Sequence, residues 1–393
     1  MTLFPFTRPR MGLHVTADAL SVAHVNRRLG RQSFGGYVEQ PLPSGAIRLS
    51  PVEPNILEQA HVINSLQSVL GRVKGPQSVA LCLPDFCART TVLEMATLPQ
   101  KKQEQQALVE WRLRQDLNLA KENMRISYQI LSSPSWGFTG PPNTDQPVRL
   151  LATAIQERII EAYEAVCLEV GLIPTSIHLA SLAVFNMCRP LMDATLDVMP
   201  ERIAFVPDTL FFLYLADWGF SIIAIHHRTP YFLRVKALRP FSPWPSPVPP
   251  QSPEEFGPPK QEKTASSIEE SPEPLSSIQP DAVLTSPPPQ ATMIANEVVG
   301  TLQYYFETHE ASAVTDGAYP LFLVGSQAPD SALPLIAELI QQEFPIEADS
   351  AQPRIRTFPV FPGNADLNLK ALSSLPAWTS ASLPAFAATG QSA

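Results

Sequence analysis

The first apolar segment, Met11 to Val25, is two short runs around a small, turn-prone centre, Thr16-Ala17-Asp18-Ala19. That is the pattern of a β-hairpin. Phe34–Gln40 reads as a third strand. Residues 55–72 change period, with Ile56, Ala60, Ile63, Leu66, Val69 and Leu70 at helical spacing. Ser78–Leu83 is a short buried strand ending at Pro84. A smaller unit follows: a strand over Thr90–Met95, a helix over Gln103–Leu117 with Ala107, Leu108, Trp111 and Leu113 on its apolar side, and a strand over Arg125–Leu131. After a Pro/Gly loop at 134–147 come a strand at Arg149–Ile155, a helix at Glu157–Val170 with Gly171 as its C-cap, a strand at Ser176–Leu179 and a helix at Ser181–Cys188. The pattern then restarts. Ile203–Phe205, Leu210–Ala216, Ser221–His226 and Tyr231–Val235 predict an antiparallel meander turning at Asp217-Trp218-Gly219-Phe220. Helices at Met293–His309 and Leu333–Phe344 alternate with strands at Leu321–Val324 and Pro359–Phe361, and residues 384–390 end the pattern as a short helix. Both halves therefore read as strands, then helices and strands in alternation, which predicts mixed α/β sheets under helical cover.

Composition changes this picture in one place. Fifteen of the 42 prolines fall between Pro240 and Pro289, among Ser, Glu and Gln. Such a stretch buries too little apolar surface to offset its chain entropy, so 241–290 is expected to be a disordered linker. Its proline spacing would also suit a partner that reads polyproline II. The net charge of −9 argues against nucleic acid as partner, and Arg27-Arg28 and Lys101-Lys102 are too small to form a basic stripe. The four cysteines, Cys82, Cys87, Cys167 and Cys188, form no CxxC pair and sit in apolar patterns, as expected of buried thiols in a reducing compartment. The N-terminus lacks the apolar core of a signal peptide. The most apolar stretch, Ile203–Ile225, is broken by Pro207, Asp208 and Asp217, so strands are expected there and not a membrane helix.

Several segments occur in a collinear order that resembles a known family. They are Gly35-Gly36-Tyr37-Val38-Glu39-Gln40-Pro41-Leu42-Pro43-Ser44-Gly45-Ala46, Val79-Ala80-Leu81-Cys82-Leu83-Pro84, Leu98-Pro99, Trp111-Arg112, Ile126-Ser127-Tyr128-Gln129-Ile130-Leu131, Leu323-Val324-Gly325, Phe361-Pro362 and Pro384–Gly390. The order is similar to that of PilM-type type IV pilus assembly proteins, divergent members of the actin-like ATPase superfamily. The resemblance implies an actin-like (ribonuclease H-like) two-domain α/β fold. The first domain would span 1–200 with an inserted subdomain at about 86–150, and the second 201–240 and 291–393, interrupted by 241–290. It also implies a cytoplasmic protein, recruited to the inner-membrane face by the cytoplasmic tail of a PilN-like inner-membrane assembly protein. The soluble part of the type II secretion protein GspL is the related alternative.

Actin-like proteins cradle phosphates with the backbone N–H groups of two tight hairpins and hold hydrated Mg²⁺ through carboxylates. The first hairpin departs from the family's Gly-x-Asp-x-Gly-Ser-Ser-Ser. It has Gly12, His14, Thr16, Ala17, Asp18 and Ala19, with Ser21 where the family has Lys. His14 is a poor ligand for a hard cation, Thr16 adds a Cβ where Gly permits close approach, and Asp18 adds charge beside a phosphate. Asp217-Trp218-Gly219 matches the family's Asp-x-Gly, although Asp and Gly are also ordinary turn residues. Gly325 is kept at the adenosine loop. The expectation is a vestigial ATP site of Asp217, Gly219, Gly325 and Thr16, with no cofactor, weak ATP/Mg²⁺ binding at most and no hydrolysis. The competing reading is an ATP-binding actin-like ATPase whose nucleotide state regulates assembly, with Asp217 organising Mg²⁺. For the partner, a groove beside the inserted subdomain is expected to take an extended or short helical tail, with Trp111 facing it or lying in the subdomain core. His226-His227 on a strand would point to opposite faces and could not chelate one metal. No HExxH, P-loop or GxSxG motif occurs.

Overall fold

The computed structural model describes residues 9–28, 31–73, 77–117, 123–132, 147–198, 209–216, 218–227, 229–238, 289–309, 317–325, 332–345 and 354–360. The first half is a five-stranded sheet. Strands β1 (Met11–Val15), β2 (Ala19–Arg28) and β3 (Arg31–Pro41) form an antiparallel meander. Helix α1 (Gln59–Arg72) leads to β4 (Ser78–Leu83), which is parallel to β1.

A three-stranded unit is spliced in next. It consists of β5 (Arg89–Met95), α2 (Lys102–Asp116), β6 (Met124–Ser132) and β7 (Val148–Gln156), in the order β5-β7-β6. Strand β7 passes into α3 (Glu157–Glu169), and Gly171 follows with φ of 80°, the left-handed cap expected at that position. Strand β8 (Ile173–Leu179) then adds parallel to β4, so the first sheet reads β3-β2-β1-β4-β8. Helix α4 (Ala180–Val198) contains Pro190 and runs ten residues past the predicted end at Cys188. Burial of Leu191, Met192 and Thr195 beyond the proline offsets the hydrogen bond that proline removes.

The second half repeats this plan. Strands β9 (Thr209–Ala216), β10 (Gly219–His226) and β11 (Thr229–Ala237) form the meander. Helix α5 (Pro289–His309), β12 (Ala318–Gly325), α6 (Ala332–Glu343) and β13 (Arg354–Pro359) complete it, and the sheet reads β11-β10-β9-β12-β13. The expected linker 241–290 lies outside the described residues, except for its last two positions, which begin α5. The strand expected at Ile203–Phe205 and the short helix at 384–390 also lie outside them.

Period-2 alternation sorts each strand between two layers. From β9, Phe211, Leu213 and Leu215 face α5 and α6, while Phe212, Tyr214 and Ala216 face α4 and the first half. From β1, Met11, Leu13 and Val15 face α1 and α3. A central apolar layer thus lies between the two sheets, built from α4, Ala80 and Cys82 of one sheet and Phe212, Tyr214 and Val324 of the other. Both sheets are covered on both faces, so their strands read as nearly continuous apolar runs. All four cysteines are buried and none forms a disulfide. Among the described residues no helix is long and apolar enough to cross a membrane.

Candidate functional site

Each half opens its sheet with an equivalent hairpin. In the first, β1 and β2 close on Ala17-Asp18, with Val15 paired to Leu20 and His14 to Ser21. The Thr16 N–H donates to the Ala19 carbonyl at 2.9 Å. The Thr16 hydroxyl accepts the Ala19 N–H at 3.1 Å and lies 3.2 Å from the Ala19 carbonyl. An amide of the kind such a hairpin would aim at a phosphate is therefore satisfied inside the turn. Thr16 is buried, whereas Asp18 is exposed, with its carboxyl pushed up by partial burial.

In the second hairpin, Ala216 pairs with Gly219 and Tyr214 with Ser221. Asp217, the expected Mg²⁺ organiser, lies outside the described residues. Gly219 has φ of 149°, and a Cβ there would meet the Lys236 carbonyl of β11 at 2.1 Å. Its glycine is thus required by strand packing, independently of any ligand. Trp218, between them in sequence, is 7% exposed and stacks on Phe86 of the first half, ring centroids 6.2 Å apart. Gly325 ends β12 opposite Leu215, and the residues after it lie outside the described set.

The apolar central layer is bordered by polar side chains that have no partner. His14 is 2% exposed, neither ring nitrogen has a partner, and burial holds its pKa down at about 3, so it is neutral. The Ser221 hydroxyl of the second half, at the position that matches Ser21, is also buried without a partner. The Ser21 hydroxyl sits 3.2 Å from the Tyr37 hydroxyl, which itself donates to Glu39.

One carboxylate in this region escaped the sequence reading. Asp85, in the turn after β4, accepts the Ser181 N–H at 3.0 Å and the Ser181 hydroxyl, capping the start of α4. Burial pushes its pKa up to about 6 against the pull of these bonds. No local motif marks Asp85, because its partner is 96 residues away.

A second concave feature lies beside the inserted unit. A groove of about 1920 Å³ runs between β6 and β7 on one side and β8 and α4 on the other, and His226, His227, Thr229 and Pro230 of the β10–β11 turn also line it. Trp111 does not face it. Its helix packs Val109 and Leu113 against Leu150, Ala152 and Ala154, whereas the groove takes the alternate residues Arg149, Leu151 and Thr153 from the opposite face of β7. Trp111 is 57% exposed, so it is neither subdomain core nor groove wall.

His226 and His227 do line the groove. The expectation that their rings diverge is corrected: β10 ends at His226, His227 takes a left-handed φ of 47°, and the ring centroids lie 4.1 Å apart. His226 Nδ1 is 2.8 Å from the Thr209 hydroxyl. Among the described residues no group of three or more His, Cys, Asp or Glu is arranged to hold a metal.

Two sheets of one topology, each a meander continued by two parallel strands and flanking a shared helical layer, define an actin-like fold, as the sequence resemblance implied. The structure of the PilM–PilN type IV pilus biogenesis complex matches with a TM-score of 0.61 at 13% identity, covering 98% of this chain and 100% of the other. A Bacteroides thetaiotaomicron protein of unknown function with an actin-like ATPase fold gives a TM-score of 0.42 at 8% identity, covering 93% and 96%. The cytoplasmic domain of EpsL, an inner-membrane component of the Vibrio cholerae type II secretion system, gives 0.39 at 8%, covering 94% and 96%. No family model and no curated protein matches the sequence.

Proposed function

We propose that this chain is an actin-like scaffold of a type IV pilus or related secretion machine, without ATPase turnover. In this reading it works in the cytoplasm and is held at the inner-membrane face by the cytoplasmic tail of a PilN-like assembly protein, which it binds in the groove beside the inserted subdomain. The observation that carries the reading is the groove itself, formed between the first sheet and the inserted unit in a fold shared with PilM of the PilM–PilN complex. A degenerate nucleotide site is part of the same reading. It is supported by the apolar central layer, the unpartnered His14 and the Trp218–Phe86 stack that bridges the two halves.

Site-specific photocrosslinking tests it. A benzophenone side chain replaces Gln129, which pairs with the groove-facing Leu151, or Trp111, on the other face of the same small sheet. Membranes of the native host are irradiated with each variant, and adducts are identified by mass spectrometry. The expected result is adducts from position 129, but not from 111, to the short cytoplasmic tail of a membrane protein. Equal labelling from both positions, or none from 129, would contradict the proposal.

A further inference from the structure

The walls of the groove are strand edges. Strand β8 is the last strand of its sheet and pairs with β4; β6 is the last of the small sheet and pairs with β7. Among the described residues neither has a second partner strand. A strand that shows one face to a cavity contributes alternate residues, because successive side chains point to opposite faces. Strand β7 does this with Arg149, Leu151, Thr153 and Ile155. Strands β8 and β6 do not: Pro174–Leu179 and Ser127–Leu131 line the groove as consecutive runs. Runs of that kind mean that the groove is bordered edge-on, where main-chain N–H and C=O groups without a strand partner are exposed. Such edges are templates for an added strand.

The charge of the lining narrows what would be added. Among the described residues the lining holds three arginines, Arg125, Arg149 and Arg189, and one carboxylate, Glu164, in a chain of net charge −9. Arg125 pairs with Glu157 and Glu164, and Arg149 pairs with Glu94 and lies 4.2 Å from the centroid of the Tyr231 ring. An acidic side chain entering the groove would therefore share these guanidiniums with the carboxylates already paired to them. His226 and His227 of the β10–β11 turn add polar ring nitrogens to the lining.

We infer that the groove binds its occupant as an added β-strand on the edge of β8, and that it selects a segment with acidic side chains at alternate positions, facing the arginines. The inference rests on the groove being the docking site proposed above. Pairing would run along Thr175–Leu179, since Pro174 has no N–H to offer. Main-chain bonds would give affinity that tolerates sequence, and the arginine cluster would give the preference for acidic segments.

The test uses three labelled peptides of about ten residues, a length that covers one edge strand. They alternate Val with Glu, Ser or Lys. A fourth is the Val/Glu peptide with its Glu amides N-methylated, and a fifth has its Val amides methylated. Anisotropy at low and high salt gives affinity, and amide hydrogen exchange reports on Thr175–Leu179. The expected result is that Val/Glu binds roughly tenfold more tightly than Val/Ser, a gap that salt narrows. Methylation of one set of amides abolishes binding, and the β8 amides become protected. The double variant Arg149→Gln/Arg189→Gln lowers Val/Glu to the Val/Ser level. Equal binding of Val/Glu and Val/Ser, indifferent to methylation, would overturn the strand inference while leaving the docking site intact. Failure of every peptide to bind would overturn both.

Discussion

The two hairpins occupy equivalent places in two sheets of one topology, yet they are built from opposite materials. On the side that faces the other half, the first sheet sets Gly12, Ala23 and Ala80 in one row, and His14, Ser21 and Cys82 in the next. The second sheet sets Phe212, Ile223 and Phe322 in the matching row, and Tyr214, Ser221 and Val324 in the next. Small residues on one side are met by large ones on the other, and Phe185 of α4 packs edge-on against Phe212 with ring centroids 5.4 Å apart. The turns differ in the same sense. Asp18 of the first is exposed, whereas Trp218, its counterpart in the second, is buried against Phe86. Two equivalent turns of one topology are thus finished differently, one left exposed and the other buried against the opposite half.

The largest expected effect comes from breaking this asymmetry at its tip. Trp218→Ala removes a buried aromatic that ties the halves together and should cost about 3–5 kcal/mol in urea unfolding. Asp18→Ala, at the equivalent exposed turn position, should stay within about 0.5 kcal/mol. Similar costs for the two would show that the turns are not different in kind.

The next effect concerns the two perturbed groups of the first half, which oppose each other. His14 has a folded pKa of about 3 against an ordinary 6.5. Its contribution is present above pH 6.5 and is lost as pH falls toward 3. Asp85 has a folded pKa of about 6 against an ordinary 3.8, so its contribution is present below pH 3.8 and is lost as pH rises through 6. Between about pH 4 and 6 the two slopes, each about 1.4 kcal/mol per unit, cancel. Relative to the parent, His14→Gln should gain about 3 kcal/mol on acidification across that window, and Asp85→Asn should lose about as much. Urea midpoints at the two ends of the window read both. Parallel behaviour of the three proteins would contradict the burial assigned to His14 and Asp85.

The smallest effect is local. Thr16→Val keeps the shape of the side chain but leaves the Ala19 N–H without its hydroxyl acceptor, and should cost about 1–2 kcal/mol, read from the same unfolding curves. No loss would mean that the turn does not depend on its own side chain.

The order of strands and helices was legible in the sequence because both codes are local. Periodicity marks α1, α3, α5 and α6, and short apolar runs bounded by Pro, Gly or Asp mark β1, β4, β9 and β12. The end of α4 was not, since Pro190 is a local stop signal overridden by burial further along the helix. The departures at the first hairpin were also legible, because His14, Thr16 and Asp18 can be compared with a motif position by position. What fills the space between the halves was not. Trp218 meets Phe86, and Asp85 meets Ser181, across contacts that no spacing encodes. Trp111 shows the converse. Its place in an apolar-looking helix suggested core or groove, but α2 turns Val109 and Leu113 to the sheet, which leaves the indole outside. The groove was legible only as a location beside an insertion, and its arginines and histidines come from five separate elements.

The proposed scaffold role without ATPase turnover stands or falls with the nucleotide. Isothermal titration of the purified chain with ATP and Mg²⁺, carried to millimolar nucleotide, tests it most directly. A degenerate site should give no heat of binding and no change in Tm. Saturable binding at micromolar ATP would contradict it and would make a nucleotide-regulated assembly protein the better description.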